Sequence, residues 1–248
     1  MKKLSVFCFM FFAIACSHDK NAHNEEYYID NFNKYFKESA QEHVIVSAYK
    51  ESDDALIITK SDTNETGYIS FDAQYNEDSL NTAFKYIDEA IARFPDRLDM
   101  RLGKAAACRE IKNSNRLLTT LTDTLRRSGI NKNRWLWTGN TLKENGQAVM
   151  LDSIQEYCAD LFKDEKDAEL EALSMEVLKY YPDNVPALTN MGILSGIRKD
   201  HETALKYLKK AETLAPKDKI VLSNILRIYQ DQKDSDNISK YENTINSL

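Results

Sequence analysis

A chain of 248 residues, 42% hydrophobic and 29% charged, can build a continuous core and is not disordered by composition. Its formal net charge of −6 argues against nucleic acid, which a basic surface would be needed to hold. Seven glycines and four prolines are few for a β-sandwich of this size, and four cysteines make no disulfide framework.

The chain opens with the basic Met1-Lys2-Lys3, followed by an eleven-residue apolar run over 4–14, which reads as a signal peptide. That run is shorter than the ~20 helical residues needed to cross a bilayer core. It ends in Ala13-Ile14-Ala15-Cys16, which resembles the bacterial lipobox, with Ala13 where leucine is usual. The resemblance implies that 1–15 are removed, that Cys16 carries the lipid anchor, and that 16–24 form a polar tether. Ser17 after the cysteine resembles the pattern of lipoproteins sent to the outer membrane, facing the periplasm or the cell surface. Ala13-Ile14-Ala15 also suits ordinary signal peptidase, which would release a soluble chain.

Over 25–63, Tyr27, Tyr28, Phe32, Tyr35 and Phe36 recur at helical spacing, whereas 43–46 and 56–59 are β-branched runs that suit strands equally well. The reading adopted is a helical N-terminal cap. From 64 to 131 two helical repeats are expected. Ala83, Ile87, Ala90 and Pro95 have the spacing of a second helix and its exit, and 99–110 with 117–127 reads as a further hairpin.

The segment 132–150 interrupts this pattern and holds Trp135 and Trp137. Two tryptophans one residue apart form either an aromatic platform for a ligand or a plug between subdomains. Plug is the preferred reading.

From 151 to 248 the pattern becomes regular, and Pro182 and Pro216 stand 34 residues apart. Between them Leu188, Met191 and Gly192 mark a first helix and Ala204, Leu208 and Ala211 a second. Gly192, Ala204 and Ala211 are small where two antiparallel helices would approach closely, and each proline ends a helix and starts a turn. Leu222, Ile225, Leu226 and Tyr229, then Ile238, Tyr241 and Ile245, continue the pattern to the C-terminus. Leu170 and Val177 stand where alanines belong one period earlier.

These residues resemble the tetratricopeptide repeat, whose period is 34. The resemblance implies an all-α fold, a right-handed α-solenoid of about five helical hairpins, with an irregular insertion and an N-terminal cap. It also implies a non-catalytic adaptor that binds another envelope protein or an extended peptide in a concave groove. Asn190 and Asn224 are 34 residues apart, so both should project to that groove, and Arg227 lies one turn beyond Asn224. The competing role for the asparagines is to bridge neighbouring helices.

No GxSxG, GxxxxGK, HExxH or CxxC pattern occurs, so no enzymatic activity, cofactor or metal is expected. His201 is placed in an exposed turn. A second functional reading, capture of a glycan or peptide on Trp135 and Trp137, differs from the adaptor in where the ligand sits.

Overall fold

The computed structural model describes residues 23–41, 46–48, 56–58 and 74–248; Cys16 and the segment before it lie outside these. Ten α-helices follow one another among the described residues, eight of them packed as consecutive pairs, so the chain is all-α and tetratricopeptide-like, as the sequence suggests. It folds as two units. The first comprises the described residues up to Met100 with Trp137–Thr141, the second Arg101–Leu136 with Leu142–Leu248.

In the first unit α1 (Glu25–Ser39) begins at Asn24, whose side chain accepts the Tyr27 amide at 3.1 Å, and its first turn is acidic, as a helix N-terminus favours. Its aromatic stripe packs on α2 (Glu77–Arg93). Phe32 meets Phe84 edge-on with centroids 6.4 Å apart, and Tyr35 stacks on Tyr86 at 5.7 Å. Arg93 donates to the Tyr28 hydroxyl at 2.9 Å.

Between these helices the chain leaves and returns through an antiparallel ladder. In it β1 (Ala40–Gln41) pairs with β4 (Gln74–Tyr75), and β2 (Val46–Ala48) pairs with β3 (Leu56–Ile58) in the excursion. The helix expected throughout 25–63 is therefore corrected. It stops at Ser39, and Val46–Ala48 pairs with Leu56–Ile58 as strands, the latter rich in β-branched residues that fit a pleated surface; residues 43–45 and 59 of the two runs lie outside the described residues. The first repeat is corrected too: the partner of α2 is α1, so this hairpin starts at Glu25 rather than at 64.

The second unit holds most of α3 (Leu98–Glu110), then α4 (Ser114–Asn131), α5 (Gly146–Lys163) and α6 (Asp167–Tyr180). It continues with α7 (Val185–Ile197), α8 (His201–Leu214), α9 (Lys219–Gln232) and α10 (Ser235–Asn246). Two turns alternate in register. The turn inside each pair closes with a left-handed residue: Glu165, Lys199 and Lys233, at φ 55°, 63° and 59°, recur every 34 residues, and Lys112 does the same between α3 and α4. The following amide reaches back five residues to close the helix, as in Asp200 N–H to Ser195 C=O at 3.0 Å and Asp234 N–H to Tyr229 C=O at 3.1 Å. The turn between pairs is set by proline: Tyr181 and Ala215 end their helices just before Pro182 and Pro216, and Asn184 and Asp218 cap the next ones.

Small residues sit where the helices of one pair touch. A Cβ on Gly192 would stand 2.5 Å from Leu208 Cγ and 3.3 Å from the Ala204 carbonyl oxygen, and Ala204 and Ala211 are fully buried. One period earlier the same places hold Cys158, Leu170 and Ser174 instead of Gly192, Ala204 and Leu208. Ser174 opposite Cys158 returns the volume that the cysteine takes, so this pair closes with a different assortment of sizes. Ala204→Leu has no such compensation. It is expected to lower unfolding stability by ~1–3 kcal/mol, against at most ~0.5 for Glu202→Ala on the exposed face, as read from urea midpoints of the two variants.

Candidate functional site

A recess in the second unit lies between α7 and α9, the first helices of two successive pairs, and has a volume of about 210 Å3. Its floor is Gly192 and Gly196 of α7, Leu208 of α8 and Ile228 of α9. Gly196 lets α9 come close, since a Cβ there would stand 2.7 Å from Ile228 Cδ1. Ile193 and Ile197 form an apolar rim, and Asn224, Arg227 and Asp231 form a polar one with Lys199.

Lys199 Nζ meets Asp231 Oδ2 at 2.8 Å and holds that carboxyl below the usual carboxylate range. Asn224 donates its amide to the Ile220 carbonyl one turn back at 2.8 Å, which leaves its side-chain oxygen as acceptor. Arg227 is exposed. His201 Nε2 is 3.8 Å from Asp231 Oδ2 and is largely covered rather than standing in an open turn, which corrects its expected exposure.

The structure brings Asn224 and Arg227 together and separates Asn190 from them. Asn190 borders a recess of only about 10 Å3 beside α5, and its amide donates to Ser174 Oγ at 3.3 Å. It bridges α7 to α6. The serine at 174 gives this asparagine a partner that Leu208, at the equivalent place one period later, cannot give Asn224.

Trp135 is a core residue, closed to a ligand. It is 0% exposed, and a Cβ on Gly146 would stand 2.7 Å from its own Cβ, so α5 starts against the indole. Trp137 is half-buried and belongs to the first unit. With Trp135 covered, Trp137 is the tryptophan of the pair that keeps an accessible surface.

Cys108 and Cys158 are both buried thiols outside any disulfide. Burial pushes the Cys158 thiol up to about 12, which makes it a poor nucleophile. Tyr157 is likewise pushed up to about 12 by burial, opposed by Arg109, whose guanidinium lies 5.5 Å from the ring centre. No group of three or more His, Cys, Asp or Glu among the described residues could hold a metal ion, and none of their helices is long and apolar enough to cross a membrane.

No family model matches the sequence, and no curated protein matches it. Solved structures do. MamA from Desulfovibrio magneticus RS-1 is 13% identical over 69% of this chain and 86% of its own, with a TM-score of 0.44. PilF of Pseudomonas aeruginosa is 13% identical over 69% of each chain, with a TM-score of 0.44. A tetratricopeptide repeat protein from Parabacteroides merdae is 11% identical over 69% of this chain and 58% of its own, with a TM-score of 0.37.

One cluster escaped the sequence reading altogether. In the first unit Arg97, 1% exposed, donates from Nε and Nη2 to the two oxygens of Asp99 at 2.9 and 2.7 Å and from Nη1 to Glu25. Thr138 Oγ1 donates to Asp99 at 3.3 Å, and the Asn140 amide donates to Glu25. The only sequence sign was an arginine two residues after Pro95, flanked by acids, a pattern that ordinary surface turns share.

Proposed function

We propose that this chain is a non-catalytic interaction scaffold of the bacterial envelope, anchored by lipid at Cys16, that holds a partner protein in the groove between α7 and α9. The observation that carries the binding part is the groove itself. An apolar floor and rim beside an exposed guanidinium and an amide acceptor, Ile197 and Ile228 against Arg227 and Asn224, is furnished to take a polypeptide. Support for the anchor comes from the basic start, the apolar run over 4–14 and Cys16 directly after Ala13-Ile14-Ala15. Capture of a glycan or peptide on the tryptophans would rest on Trp137 alone, since Trp135 is buried.

Two measurements in native cells test the two halves separately. Cys16→Ser is expected to move the protein from the membrane pellet to the soluble envelope fraction; if the variant stays in the pellet, the lipid anchor is wrong. A photo-reactive amino acid in place of exposed Ile197 is expected to cross-link one defined protein, and the same probe in place of exposed Met175 on α6 to cross-link none. Equal cross-linking from both positions would remove the groove as the binding site while leaving the anchor untouched.

A further inference from the structure

The two sides of the α7/α9 groove differ, and the difference specifies a partner's chemistry. On one side stand Ile193 and Ile197, the latter 50% exposed, over a floor that reaches Ile228. The volume of about 210 Å3 exceeds the ~150 Å3 of an apolar cavity that admits a benzene-sized group and falls short of the ~300 Å3 at which small-molecule sites begin. The groove has room for one large side chain, not for a whole cofactor or metabolite.

Charge decides what accompanies that side chain. Lys199 is neutralised by Asp231 at 2.8 Å, whereas Arg227 acts on Asp231 only through its charge and keeps its donors toward solvent. An exposed guanidinium offers a fork that a carboxylate fits with two hydrogen bonds. The chain as a whole carries a net charge of −6, so an acidic segment is attracted only where a cation is left uncompensated, as at Arg227 beside the apolar floor.

We propose that the groove takes a partner segment with one apolar anchor, Leu, Ile, Met or Phe, seated between Ile197 and Ile228, and an Asp or Glu one or two residues away paired by Arg227. Asn224 Oδ1 accepts a backbone N–H of the same segment. This deepens the scaffold reading above and rests on it.

Selection of random dodecapeptides displayed on phage against the full chain in detergent, with labelled synthetic copies of the winners titrated by fluorescence anisotropy, tests the assignment. The expected winners pair an apolar residue with an acid at that spacing. Arg227→Glu is expected to weaken them about tenfold, and replacing the peptide's acid by lysine should restore most of the loss. Ile197→Ser is expected to weaken them to a similar extent, and Ile130→Ser, exposed on α4, not at all. All three substitutions are at exposed positions, so unchanged far-ultraviolet circular dichroism separates lost binding from lost fold.

Winners without an acid, or a charge swap that rescues nothing, overturn the assigned chemistry; if Ile197→Ser still abolishes their binding, the groove remains the interaction site. Winners indifferent to both groove variants overturn the site as well. A chain that selects no peptide but forms dimers in sedimentation, lost in Ile197→Ser, places a second copy in the groove and overturns the proposal.

Discussion

Trp135→Ala is expected to destabilise the second unit by ~3–5 kcal/mol, the range for emptying a buried aromatic site. The indole is fully covered and lies against the start of α5, where Gly146 leaves no side chain to collapse into the space. Its backbone is held on both sides: the Trp135 N–H donates to Asn133 C=O at 3.0 Å, and its C=O accepts from the Lys143 N–H at 2.8 Å. These bonds survive the substitution, so the loss reports packing. Trp135→Phe should cost less, because it keeps most of the apolar volume and removes a buried indole N–H that has no hydrogen-bond partner. Denaturant midpoints of the two variants against the parent chain check the order. A Trp135→Ala chain as stable as the parent, with altered ligand binding, would favour the ligand platform over the packed plug.

The second large effect is expected at Arg97. Its guanidinium is surrounded by protein and satisfies two carboxylates, Asp99, 6% exposed, and Glu25. Removing one partner of a buried ionic group leaves the other charges desolvated and unpaired, which costs ~3–5 kcal/mol. Arg97→Met is therefore expected to destabilise the first unit by that amount. Arg97→Lys should recover little of it, since an ammonium cannot reproduce the parallel pair of bonds to Asp99 together with the third to Glu25. Hydrogen exchange of the α1 amides is the direct measurement, because Glu25 sits in the first turn of that helix. Slow exchange of α1 retained in Arg97→Met would show that the aromatic contacts of Phe32 and Tyr35 hold the helix without the ion cluster.

Much of the fold was written locally. The period of 34 residues, Pro182 and Pro216 at the exits, and small residues at 192, 204 and 211 follow from interactions within one helical pair, so the pattern that a pair requires is visible in its own sequence. The same holds for the N-caps Asn184 and Asp218, which act on amides two or three residues away. The left-handed turn residues were not legible, because lysine and glutamate fill positions where glycine would have announced the turn, and the conformation is imposed by the helices on either side.

In the candidate site, the sequence by itself determined that Asn224 and Arg227 share a helix face with the register position of Asn190, because helical periodicity is a property of the chain alone. Only the tertiary structure decided which of them is available. Ser174 engages Asn190, while two glycines on α7 open a recess before Asn224 and Arg227. Tertiary structure also chose α1 as the partner of α2 across a β excursion, buried Trp135, and gathered Arg97, Asp99, Glu25 and Asn140 from segments up to 115 residues apart. The physical reason is common to all of these. Burial and ion pairing depend on which distant surfaces meet, and that is settled by the total area and charge brought together, a quantity that no local window of sequence contains.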